Sequence, residues 1–180
     1  GISPLVELVK SGSESGKELA AKTLANLALD AANKKKIASL GGIEPLITLL
    51  SSRTDAGKEK AAGALANLAF NNSENQKTIA EAGGISPLVE LVKSGSESGK
   101  ENAALALANL ALDAENQKTI AEAEGISPLV ELVKSGSEIG KEIAALALAN
   151  LAFNNSENQK TIAEAGGISP LVELVTVSYT

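Results

Sequence analysis

Four asparagines, Asn26, Asn67, Asn109 and Asn150, recur at spacings of 41, 42 and 41 residues. They sit at one position in the segments GKELAAKTLANLALD, GKEKAAGALANLAFN, GKENAALALANLALD and GKEIAALALANLAFN. A side-chain amide offers two donors and one acceptor. A row of them is therefore able to bond the N–H and C=O of an extended backbone without reading its side chains. The plainer alternative is a polar cap that holds a loop or an adjacent helix, or a solvated helix residue.

The surroundings of these amides separate the two readings. The four copies differ mainly seven, four and three residues before each Asn: Leu19, Lys22, Thr23; Lys60, Gly63, Ala64; Asn102, Leu105, Ala106; Ile143, Leu146, Ala147. Offsets of −7, −4 and 0 share one face of a helix. A face that accepts Lys, Gly and Leu at one position is not a packed interior, because interiors are filled to near-crystal density. The spacing thus predicts an exposed helix face bearing one fixed amide per repeat.

Other chemistry is scarce. The chain has no Cys and no His, which removes thiolate nucleophiles, disulfides and the commonest zinc ligands. No carboxylates pair persuasively, so no catalytic residue, metal site or cofactor is expected. The net charge is −6, with Arg53 the only arginine. Residues 1–90 hold ten basic and ten acidic side chains, and residues 91–180 hold six and twelve. Nucleic acid, which calls for basic stripes, is not an expected partner. The near-apolar run Ala103 to Leu112 is far shorter than the roughly 20 residues of a membrane span, so no membrane is expected either. These features predict a soluble chain, cytoplasmic if natural. SGSESGKE at 11–18 departs from a phosphate-binding loop in spacing and lacks a preceding strand. Lys34-Lys35-Lys36 reads as a solvated basic spot.

The elements that must position the amides follow from the period. GISPLVELV and its variants return five times, with prolines at 4, 45, 87, 128 and 170. A period in the low forties marks stacked helical repeats, each burying its apolar face only against its neighbours. In the unit from Ser73 to Leu112, SENQKTIAEA reads as a first helix with a Ser73–Gln76 capping box, stopped by Gly83 and Gly84. PLVELVK is a second helix with Ser86 as N-cap and Pro87 in its first turn. A third helix starts at a capping box on Ser98 and runs through NAALALANLAL, apolar on most of its circumference. The matching box at Ser15 is replaced by Ala56 and Ile139 in the other copies, so those two starts are expected to fray. Phe70 and Phe153 are expected in the inter-repeat core. The count is five second helices, four third helices and three full first helices, with the terminal TVSYT a disordered or weakly extended tail.

Three helices in about 42 residues, the AGGI-x-PLV-x-L join and the AL-x-NLA core of the third helix resemble the armadillo repeat family, over essentially the whole chain. The resemblance implies an all-α, right-handed solenoid, a single domain over residues 1–180, and a concave groove in which Asn26, Asn67, Asn109 and Asn150 hold an extended peptide. The flanking specificity positions are then Leu19, Lys22, Lys60, Gly63, Asn102, Leu105, Ile143 and Leu146. Importin-alpha relatives carry Trp four residues before the Asn, where this chain has Lys22, Gly63, Leu105 and Leu146. Capture of a basic nuclear-localisation peptide is therefore not expected. Lys22 and Lys60 favour acidic side chains at one end; Leu105, Ile143 and Leu146 favour apolar ones at the other. Residues 71–92 recur unchanged at 154–175, within a gapless alignment of 1–97 on 84–180. Such near-identity fits recent duplication or assembly from consensus-like modules. A purely structural module is the alternative function. The terminal units also suggest a homo-oligomer formed by end-to-end stacking or terminal-helix exchange.

Overall fold

The computed structural model describes residues 1–177, and among these every regular element is a helix. Second-type helices are α1 (Ile2–Ser11), α4 (Ile43–Leu49), α7 (Ile85–Ser94), α10 (Ile126–Ser135) and α13 (Ile168–Val177). Third-type helices are α2 (Glu14–Leu27), α5 (Asp55–Ala69), α8 (Glu97–Leu110) and α11 (Glu138–Ala152). First-type helices are α3 (Ala31–Ser39), α6 (Ser73–Glu81), α9 (Ala114–Glu122) and α12 (Ser156–Glu164). There are thus four first helices rather than three, because Asp30 caps a full helix over AANKKKIAS. The last helix also extends over Thr176 and Val177, which the sequence reading placed in a tail; Ser178–Thr180 lie outside the described residues.

The third helices form the spine, in the order α2, α5, α8, α11, and each also packs against the second helix of its own repeat. Alanine makes this possible. Ala61, Ala62, Ala64, Ala66 and Ala69 of α5 and Ala103, Ala104, Ala106 and Ala108 of α8 are wholly buried. Small side chains let neighbouring helix axes approach to the short end of the usual 8–10 Å range. Leu65, Leu68, Leu107, Leu110, Leu88 and Leu129 fill the space between repeats.

The helix starts differ from expectation in a regular way. Each third helix is capped two residues earlier than predicted: Ser13, Thr54, Ser96 and Ser137 accept the amide N–H of Gly16, Gly57, Gly99 and Gly140 at 3.2, 3.0, 3.1 and 2.9 Å. All four starts are therefore capped, and the difference expected at Ala56 and Ile139 has no basis. Extended backbone after the preceding loop puts the earlier hydroxyl in the capping position. First helices are capped by Asp30, Asn72, Asp113 and Asn155, not by the following Ser73 or its equivalents. The second helices α1, α4, α7 and α10 have no side-chain cap; Gly84 precedes α7, and Pro87 is its third residue, still within the turn whose N–H groups lack intrahelical partners. Gly83 has φ +79° and ends the first helix as expected.

Candidate functional site

The amide row is assembled as the period predicts, but its members are not all free in water. Asn67 Nδ2 donates to the Ala25 carbonyl at 2.9 Å, Asn109 Nδ2 to Ala66 at 3.0 Å, and Asn150 Nδ2 to Ala108 at 2.9 Å. In every case the acceptor is the residue just before the preceding ladder Asn. Those carbonyls lie in the last turn of a helix, where intrahelical donors run short; Ala66 O keeps one, the Phe70 N–H at 3.1 Å. The amides therefore also fasten one third helix to the next, which is the plainer role weighed above. Asn109 is only 7% exposed, Asn67 and Asn150 are half-buried, and Asn26 is exposed.

One amide hydrogen is thus spent on each internal bond. The oxygen is not. Among the described residues no buried side-chain oxygen or nitrogen lacks a hydrogen-bond partner. Among the described residues nothing donates to the Oδ1 atoms of Asn67, Asn109 and Asn150, so they reach solvent. The row presents acceptors outward and holds its donors partly inward.

The flanking positions sort by row. Seven residues before the Asn, Leu19 is exposed and Lys60, Asn102 and Ile143 are half-buried. Four residues before it, Lys22 and Leu146 are exposed and Gly63 and Leu105 half-buried. Three residues before it, Ala64, Ala106 and Ala147 are completely buried, so that row belongs to the core. Lys60 is not a free cation: its Nζ lies 2.6 Å from Glu59 Oε1. Lys22 is exposed and forms no ion pair among the described residues, which makes it a cation this face offers. Asn102 Nδ2 reaches the Glu59 carbonyl at 3.4 Å, and Gly63 leaves open floor beside it.

Two further corrections concern side chains next to the row. Phe70 and Phe153 are exposed rather than core, as are Leu29 and Leu112 at the same position. Each lies where its third helix has just ended, so the chain turns it outward. Lys34, expected in a solvated cluster, is 6% exposed; its ammonium donates to the Phe70 carbonyl and sits 5.1 Å from the centre of that ring. Only Lys35 and Lys36 are in water. Burial lowers the Lys34 pKa from the ordinary lysine value. The other repeats place Gln76, Gln117 and Gln159 there, donating to Ala69, Ala111 and Ala152. Lys34→Gln is therefore expected to raise stability by about 1 kcal/mol at neutral pH, since a neutral donor avoids the desolvation of an ammonium. In the wild type the unfolded chain keeps that lysine proton to higher pH than the native state, so wild-type stability climbs through the window below the ordinary lysine pKa. The advantage of Lys34→Gln should shrink across that window in denaturant titrations.

Residues that the sequence reading passed over do much of the joining. Asn75, Asn116 and Asn158 are buried and donate to the Leu68, Leu110 and Leu151 carbonyls at 2.9, 3.1 and 3.0 Å. Asn116 also reaches Gln76 O, and Asn158 reaches Gln117 O, in the preceding first helix. No group of three or more His, Cys, Asp or Glu comes together among the described residues, and no helix there is long and apolar enough to cross a membrane.

Residues 30–70, 72–112 and 113–153 each match the Armadillo/beta-catenin-like repeat. The chain belongs to the armadillo repeat family. Its solved structural neighbours include an engineered protein, 39% identical over 97% of this chain and 72% of the other, with a TM-score of 0.92. A computationally designed armadillo repeat protein for modular peptide recognition is 33% identical over 97% and 74%, TM-score 0.90. A designed armadillo repeat protein in complex with the peptide (KR)4 is 35% identical over 96% and 73%, TM-score 0.89. No curated protein sequence matches this armadillo chain. It is an armadillo repeat scaffold.

Proposed function

We propose that the third-helix face of this armadillo array is a groove for an extended peptide, held along its backbone by Asn26, Asn67, Asn109 and Asn150. The observation that carries this is the solvent-reaching Oδ1 row beside positions that change freely from repeat to repeat. Strand residues two apart repeat at about 6.7 Å, close to the spacing of third helices on the inside of a curve, so each repeat takes two peptide residues and four rungs take about eight. The designed armadillo repeat protein solved in complex with a peptide supports peptide binding by this kind of scaffold. The ligand class differs from that basic peptide, because the −4 row here carries Lys22, Gly63, Leu105 and Leu146 and the chain has no Trp.

Energetics sets the affinity. A net hydrogen bond gives about 0.5–1.5 kcal/mol, whereas ordering a peptide residue costs about 1–2 kcal/mol. Backbone bonds alone therefore break even, and shallow pockets hold Kd at about micromolar or weaker. Asn26 gives the cleanest test, because its side chain makes no bond within the protein. With an octapeptide long enough for all four rungs, Asn26→Ala should weaken binding by roughly 2- to 10-fold at unchanged melting temperature. Unchanged affinity in a fluorescence anisotropy titration would remove the ladder.

A second reading, association between copies, draws on Ile168, Val172 and Val175 of α13, which stand exposed in a row. Light scattering that stays at the monomer mass as concentration rises would dismiss it.

A further inference from the structure

Leu29, Phe70, Leu112 and Phe153 are 73, 52, 56 and 70% exposed, and each follows its ladder Asn by three residues. Large apolar side chains left in water at one position of four successive repeats are not explained by packing within the chain. We propose that they form a second, apolar row of the groove, and that its ligand is an extended protein segment with an aliphatic or aromatic side chain at every second residue. This rests on the peptide reading above and narrows it.

The geometry follows from the rungs. Four residues along a helix rise about 6 Å, so the −4 row lies before the rungs, while the four apolar residues follow them where each third helix has just ended. The rungs thus run between two rows, at +3 and at −4. A peptide whose N–H and C=O groups point at the rungs must send its side chains perpendicular to those bonds, alternately to either side. One parity meets the +3 row, and the other meets the −4 and −7 rows. The two sides differ in chemistry. The +3 row is apolar in all four repeats, so it asks for the same kind of residue at each step. The opposite side is mixed, with the unpaired Lys22 at one end and Leu146 at the other. Charge complementarity places an acidic residue of the second parity near Lys22. Phe70 is the most firmly set member of its row, with the Lys34 ammonium against its ring.

The test compares two octapeptides by fluorescence anisotropy, one with leucine at alternate positions and serine and glutamate between, the other with serine replacing each leucine. The full chain is used, with the double variants Leu112→Ser/Phe153→Ser and Asn26→Ala/Asn67→Ala. The wild type should bind the leucine peptide at least tenfold more tightly. The Leu112→Ser/Phe153→Ser variant should lose that preference, while melting as the wild type does because both side chains are exposed. If the ladder variant weakens both peptides but the serine variant keeps the preference, the second row is overturned and the ladder stands. If neither peptide binds the wild type, both readings fall. If the wild type sediments as a dimer that the serine variant breaks, and peptide does not compete, a second copy is the occupant and the proposal is overturned.

Discussion

Asn116→Ala is expected to lower stability by about 2–3 kcal/mol, the scale for removing a buried side chain together with two hydrogen bonds and leaving a cavity in its place. The Asn116 amide donates to Leu110 O, at the end of α8, and to Gln76 O, in the first helix of the preceding repeat. One truncation therefore loosens a helix end and an inter-repeat joint together. For a chain of this length the melting temperature should fall by roughly 5–10 °C, read by circular dichroism. Glu115→Ala, one residue away and exposed, should leave it within a degree or two. Equal melting temperatures for the two variants would show that the joint is carried by apolar packing alone.

Gly125→Ala is the second large effect. The residue precedes α10, and a Cβ there would lie 2.7 Å from Ile120 Cγ2, 2.9 Å from the Ile120 carbonyl oxygen and 3.0 Å from Val89 Cγ2. The oxygen belongs to the backbone and cannot rotate away, so the second helix must shift from its seat. A loss of about 2–3 kcal/mol is expected from such overpacking. Gly63→Ala supplies the contrast in the same experiment. A Cβ at Gly63 meets only the Asn102 side chain, at 3.6 Å or more, and alanine is the better helix former by about 1 kcal/mol. Denaturant midpoints for the two alanine variants should move in opposite directions; a tolerated Gly125→Ala would mean that the seat of α10 is loose.

The helices and their order were legible because glycine and proline act locally, and their period is written in the sequence. Cap positions were less so. Ser13 and Ser15 are both competent caps, and only the loop geometry before them selects the earlier one. Phe70 looked like core because Leu29 and Leu112 replace it, but apolar exchange at one position is equally compatible with an open row. Lys34 looked solvated because two further lysines follow it; its burial depends on Phe70, thirty-six residues away. The invariance that singled out Asn26, Asn67, Asn109 and Asn150 also marks Asn33, Asn75, Asn116 and Asn158, and the last three of these are joints between helices. Whether an invariant amide faces a ligand or a neighbour is a question of helix phase and stacking, which composition does not carry.

The bonds from Asn67, Asn109 and Asn150 to the preceding helix fix the rotamers of those side chains before any ligand arrives. Were this face to take a peptide as proposed, those three side chains would already be held ready for it, and engaging them would freeze little additional motion.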